Sequence, residues 1–373
     1  MTDLFAGLML YPTFRDLPLA EVEATREHWQ ARSLAPDERL WTEGDPADSL
    51  AFVLRGEVGV QAETNDLGPI GNGGIIGEVS AFFQGQTRSA TVTATRPTDL
   101  ALLSAAGLAA LRDANSPLYG AVLEQALRAL VRRVRAADRR IASLAPGRLV
   151  APERIDRKGL ASLWRKLVPG TPRGTCPALL PLLRAQPGMD TVPEATLVVI
   201  AAAFTERAIP SGEILFLEGE EGSSAWLIAD GAVDVLRHVG GHRAERLTTL
   251  GAGDLVGINV LIEPAPRTAS CVAVQPTWAW RLDATAAGAL QGEARLRWLE
   301  CMLAALATQI RLAHATLRGL GGTGAASNTS PEVDRLLRAT GYLEGLPLDT
   351  KDLAGARVMW AAHPPTTNRS MTE

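Results

Sequence analysis

The stretch LWTEGDPADSLAFVLRGEVGV at 40–60 recurs as LFLEGEEGSSAWLIADGAVDV at 215–235. Glu43-Gly44, Gly56 and Val60 return as Glu218-Gly219, Gly231 and Val235, all at an offset of 175. Farther on, LEQALRALVRRVRAADRRIASL (123–144) returns as LECMLAALATQIRLAHATLRGL (299–320) at an offset of 176. Solenoids repeat every ~20–50 residues, so a period this long marks a duplicated domain. The 373 residues must therefore be shared between two similar units.

Each unit has the same grammar. A short helix comes first. Strand-sized runs of Val, Leu, Ile, Phe, Trp and Thr follow, broken by Gly, Pro, Asp and Asn, as in an all-β roll or sandwich. A long amphipathic helix closes the unit. Over 117–144, Val122, Leu123, Leu127, Leu130, Val131, Val134 and Ile141 recur at helical spacing, while Arg128, Arg132, Arg135 and Arg139 take other faces. Ser116-Pro117 supplies an N-cap and a proline at the first helical position. The expected fold is mainly β with helices (α+β): two β-rolls, jelly-roll-like, each followed by a long helix.

The expected boundaries are a first domain at 1–145 with its closing helix at 117–144, a basic linker at 146–176, a second domain at 177–322 with its helix at 293–320, and a tail at 323–373. The tail carries a partial third echo. PALLPLLRAQPGMDTVPEAT (177–196) matches PEVDRLLRATGYLEGLPLDT (331–350), which reads as the entry helix of a truncated third copy or as a helical cap on the second.

Several function classes drop out on composition. A formal charge of −4 argues against dominant attraction to nucleic acid or an anionic membrane. Cys176, Cys271 and Cys301 are odd in number and far apart, which fits a reducing compartment and gives no disulfide or zinc framework. The five histidines form no ligand cluster, so a metal-dependent enzyme on the same β-roll is disfavoured, and no metal is expected. Asp3 sits where a signal peptide needs positive charge. ATLVVIAAAF (195–204) is too short to span a bilayer, which takes ~20 residues. A cytoplasmic protein without membrane insertion is expected.

Within the first unit, IGEVSAFFQGQTRSATVTA (76–94) holds only two charges, Glu78 and Arg88. A Gly-Glu step, a loop and an Arg-Ser-Ala triplet stand in fixed order. The stretch resembles the phosphate-binding cassette of the cyclic-nucleotide-binding domain family, above all its catabolite-activator (Crp–Fnr) branch. GLP (345–347) and EGDPADSLAFVLRGEVGV support the same resemblance, which covers roughly 14–144 and 188–320.

The resemblance implies cAMP or cGMP as ligand and no enzymatic activity. A guanidinium offers parallel donors that fit a phosphate, so Arg88 is the expected clamp, with Ser89 and the Ala90 backbone N–H as further donors. Glu78 would accept from the ribose 2′-hydroxyl, a charged hydrogen bond worth ~1.5–3 kcal/mol. Gly77 permits the tight turn, and a short helix is expected over 78–82, including Val79. The same two charges also fit a buried ion pair in a roll that binds nothing.

The second copy departs from this pattern at AGDLVGINVLIEPAPRTASCVA (252–273). Gly257 and Arg267 stand for Gly77 and Arg88, and Thr268-Ala269 for Ser89-Ala90. Ile258 replaces the carboxylate, with Asn259 one position off. A weak or empty second pocket is expected. A pocket for another phosphate ligand, or for a cyclic nucleotide held with Asn259 as substitute, is the competing reading.

In the family the closing helix lies over the ligand's base and pairs with a second such helix. The resemblance thus implies pairing of 117–144 and 293–320, within one chain as a pseudo-dimer or between chains as a homodimer. Arg135 falls where the family touches the base. A protein partner downstream is implied but not identified. The rival is a Crp–Fnr type DNA-binding regulator with a divergent or lost DNA-binding domain. It needs a helix-turn-helix after 320, where DTKDLAGARVMW (349–360) offers only a faint match and no basic recognition helix follows. Over 147–173 there are seven basic side chains against two acidic ones, read as a solvated linker face ahead of a contact for an acidic partner or nucleic acid. A ligand-free β-roll scaffold is the remaining alternative.

Overall fold

The computed structural model describes residues 4–62, 65–82, 87–144, 170–238 and 244–321. Contacts divide the chain into two compact units, one running to Ala129 and one from Leu130. Residue 145, residues 146–169 of the linker, and the tail at 323–373 lie outside the described residues.

The first unit begins with two short helices, α1 (Leu4–Leu8) and α2 (Leu19–Glu23). Eight strands follow: β1 (Trp29–Leu34), β2 (Arg39–Trp41), β3 (Ser49–Arg55), β4 (Glu57–Ala62), β5 (Asn65–Gly71), β6 (Ile75–Ile76), β7 (Thr91–Ala94) and β8 (Thr98–Ser104). They form two antiparallel sheets, β1-β8-β3-β6 and β2-β7-β4-β5. Helix α3 (Glu78–Ala81) interrupts them after β6, and α4 (Ala105–Asp113) and α5 (Pro117–Leu144) close the unit.

The two sheets meet in one apolar core. Leu34, Ala51, Val53, Ile76, Leu100 and Leu102 of the first sheet cluster with Leu40, Trp41, Val58, Val92 and Ala94 of the second. Strand β3 is buried along five successive residues, because the alternate positions Leu50 and Phe52 are also covered. Phe52 meets Tyr11 and Phe14 edge-on, with ring centroids 5.2 and 5.4 Å away. The hydroxyl of Tyr11 donates to Val53 O (2.9 Å), satisfying its polar end. A strand covered on both faces needs a continuous apolar run, and SLAFVL provides it.

The second unit repeats the plan. Helices α6 (Leu179–Arg184) and α7 (Glu194–Ala201) precede β9 (Phe204–Ile209), β10 (Ile214–Phe216), β11 (Ser224–Asp230), β12 (Val233–His238), β13 (Ala244–Leu250) and β14 (Leu255–Val256). After α8 (Asn259–Ile262) come β15 (Ser270–Ala273), β16 (Thr277–Asp283), α9 (Ala284–Gly288) and α10 (Gly292–Gly321). The sheets are β14-β11-β16-β9 and β10-β15-β12-β13, the same order strand for strand. The two expected rolls of α+β class with trailing helices are the observed architecture.

Helix α5 starts where capping chemistry places it, with Leu118 N donating to Ser116 Oγ at 3.2 Å. Its residues Val122, Leu123, Leu127, Leu130 and Val131 are fully buried. The other closing helix runs one residue farther at each end than expected. Leu303, Leu306 and Ile310 on it are buried, like Val134 on α5. The side chains of Ile141 and Leu317 lie outside the described residues.

Candidate functional site

Strand β6 ends at Ile76, and the next residue, Gly77, has a φ of +82°, in the left-handed region. That turn sends the chain straight into α3, so Glu78 enters the interior, 0% exposed. Only glycine fits here. A Cβ would stand 2.8 Å from Arg88 Nη1 and 3.1 Å from Ser49 O.

Arg88 reaches the same place from the far side of the loop and is 3% exposed. Its Nη1 donates to Ser49 O at 2.6 Å, and its Nη2 to Asp48 Oδ1 at 2.8 Å and Ser49 Oγ at 3.1 Å. The guanidinium carbon lies 3.6 Å from the centroid of the Trp41 ring, a stacking contact worth ~0.5–2 kcal/mol. Burial pushes the Arg88 guanidinium below its usual value, and the Asp48 carboxylate works against that shift. Arg88 Nε is buried and makes no hydrogen bond, so one donor of the fork is left to offer. The backbone holds the arginine at both sides: Arg88 N donates to Asp45 O (2.7 Å), and Gly44 N to Arg88 O (2.9 Å).

Gly77, Glu78, Arg88 and Ala90 are thus brought together, with Ala90 buried and Ser89 exposed beside them. Val79 lies on α3, and its side chain is outside the described residues. Helix α3 ends one residue short of the expected 78–82, with Phe82 as its C-cap. The Phe82 ring faces Tyr119 of α5 at a centroid distance of 6.3 Å. This contact joins the cassette to the closing helix.

The second cassette keeps the arginine and loses the acids. Arg267 is 6% exposed. It donates from Nη2 to Ser224 O (2.5 Å) and from Nη1 to Gly257 O (3.2 Å). The Phe216 ring lies 4.1 Å beneath it. Gly257 repeats the left-handed turn at φ +79°. Ile258 is buried at the carboxylate's position, and Ser223 stands where the first copy has Asp48. Asn259 opens α8, 8% exposed, and its Oδ1 makes no hydrogen bond.

Arg135, expected among the ligand-binding residues, lines a hollow with Gly257, Asn259, Arg267 and Thr268 of the second cassette. The cause is Glu263. Arg135 Nη2 donates to its backbone O at 3.0 Å, and Arg135 Nη1 lies 3.7 Å from its carboxylate. Arg132 grips the same carboxylate through Nε (3.0 Å) and Nη2 (2.7 Å). Both arginines follow Leu130 and belong to the second unit.

Sequence reasoning missed the aromatic platforms, Asp48 and Glu263. The platforms had a signal: Trp41 and Phe216 stand at the repeat offset of 175. Glu263 had none, because its partners are over a hundred residues away. Among the described residues no His, Cys, Asp or Glu cluster could hold a metal, and no helix is long and apolar enough to cross a membrane.

The family model of the cyclic nucleotide-binding domain matches residues 31–115 and again 206–291. A cyclic AMP receptor protein from Thermus thermophilus is 39% identical over 75 residues, 20% of this chain and 34% of that protein. A CRP-like cAMP-activated global transcriptional regulator from Mycobacterium tuberculosis is 28% identical over 136 residues, 36% of this chain and 60% of that protein. The chain therefore covers less than two thirds of either relative. A solved cyclic nucleotide-binding domain from Methylobacillus flagellatus is 34% identical, covering 39% of this chain and 85% of that one, with a TM-score of 0.34.

Proposed function

Because residues 31–115 and 206–291 are two copies of the cyclic nucleotide-binding domain, we propose that this chain is a cyclic-nucleotide-sensing regulator, without enzymatic activity, that reads its ligand through the first roll. The observation that carries this is the burial of both Glu78, next in the chain after Gly77, and Arg88, whose guanidinium lies against that glycine. One group matches a ribose hydroxyl and the other a cyclic phosphate. The incoming phosphate meets the free Nε donor and exchanges with Asp48 at Nη2. The names of the two relatives favour cAMP over cGMP.

Ligand in the cassette would move α3, and Phe82 would pass that movement to Tyr119 and so to α5. A coupling of this kind is typically worth ~1–3 kcal/mol. The output is a contact with a protein partner, made or broken by α5. The second roll, with Ile258 in place of the carboxylate, does not read a cyclic nucleotide.

Calorimetric titration of cAMP and cGMP into the full chain tests this, with Arg88→Ala and Arg267→Ala in parallel. One cAMP site, lost in Arg88→Ala and kept in Arg267→Ala, is expected. Absence of heat with either nucleotide, in folded and ligand-free protein, would remove the proposal. The similarity to a transcriptional regulator keeps a second reading open, tested by gel shift: DNA retarded only in the presence of ligand would make this chain a DNA-binding regulator instead.

A further inference from the structure

We propose that the second pocket takes a phosphate monoester dianion and reads the phosphate without reading a 2′-hydroxyl. The proposal rests on the family reading only in placing a phosphate at the arginine of each cassette. The clamp itself is preserved. Arg267 donates to Ser224 O as Arg88 does to Ser49 O, and it stacks on Phe216 as Arg88 does on Trp41.

The surrounding charge is reversed. In the first pocket two acids, Glu78 and Asp48, accompany one guanidinium. In the second, Ile258 and Ser223 replace those acids. A second guanidinium, that of Arg135, joins Arg267 in the lining, and no carboxylate lines the hollow among the described residues. Glu263, which is not part of that lining, holds Arg135 and shares its charge with Arg132. A dianion gains more than a monoanion between two guanidiniums, and a cyclic phosphate carries only one charge.

The polar detail agrees. Asn259 lines the hollow, is more than nine-tenths buried, and has an Oδ1 that accepts nothing. A phosphate dianion has no proton for that oxygen, but the amide turned about its last bond presents its Nδ2 donors to a phosphate oxygen instead. The room inside the hollow is about 10 Å³, that of about one water, and it opens to solvent, so a phosphate is met at its mouth with the rest of the ligand left outside.

The test uses the Arg88→Ala chain, so that the first pocket is silent. It is titrated with 5′-AMP, 2′-deoxy-5′-AMP and cAMP. The two monoesters should bind within about threefold of each other and at least tenfold tighter than cAMP. Adding Arg267→Ala should abolish the heat. Should that variant fail to fold, Arg135→Ala is the second probe, since Arg132 still holds Glu263; it should weaken 5′-AMP by about tenfold. Equal or tighter binding of cAMP, a tenfold penalty for the deoxy form, heat that survives Arg267→Ala, an unchanged affinity in Arg135→Ala, or no heat from any probe would each overturn the proposal. Failure of the first-pocket reading shows separately, as absence of cAMP heat in the unaltered chain.

Discussion

A methyl group at Gly77 would stand 2.8 Å from Arg88 Nη1 and 3.1 Å from the Trp41 ring, on a backbone whose φ is +82°. Gly77→Ala should therefore cost about 1–2 kcal/mol of stability in urea denaturation, from the left-handed backbone alone. It should also weaken cAMP at least tenfold by pushing the arginine aside. Unchanged affinity would mean that Arg88 does not clamp the ligand. Glu78→Gln is the gentler probe. It should cost cAMP roughly ten- to a hundredfold, the worth of a charged hydrogen bond, and leave 2′-deoxy-cAMP nearly unaffected. Equal losses for both nucleotides would show a structural role instead. These two residues were legible because a lone carboxylate and a lone guanidinium stand out in an otherwise uncharged stretch. Trp41 was not legible, since a tryptophan in a strand looks like ordinary core.

The element scale explains why. Strands β2 and β7 slip register between Arg39 and Trp41, and β10 and β15 slip at the equivalent Ile214 and Phe216. Such a bulge re-aims a side chain, here turning an aromatic face toward the arginine in both copies. Alternation of apolar residues cannot reveal it, because a bulge breaks the period of two on which the pattern depends. Helix α5 was legible almost to the residue, since its apolar period and its Ser-Pro start are local. The contact of Phe82 with Tyr119 was not, because it joins a loop to a helix across the fold. Phe82→Ala should keep cAMP binding within about threefold, a change of under 1 kcal/mol, yet lose the ligand-dependent change in hydrogen exchange along 117–127. Exchange that still responds to ligand would place the relay elsewhere.

At the scale of the whole molecule the duplication decided most of what could be foreseen: two rolls, two closing helices and two cassettes of unequal chemistry. The division of contacts at Ala129 and Leu130 falls inside α5, where no linker composition marks it. The cysteines belong to this scale too. Cys271 and Cys301 are buried, and burial pushes the Cys301 thiol up to about 12 and the Cys176 thiol up to about 11. Thiolate is the reactive form, so none of the three should be alkylated by iodoacetamide at pH 8 in the native state, and all should react in urea. Labelling of Cys301 without denaturant would reveal an opening of the second roll. The stacked pair of Arg88 on Trp41 has an optical consequence. An indole in contact with a cation emits differently when that cation turns to another partner, while Phe216 beneath Arg267 is silent at tryptophan excitation wavelengths. The difference in emission between the unaltered chain and Trp41→Phe is then an unlabelled gauge of the first pocket alone, blind to whatever fills the second.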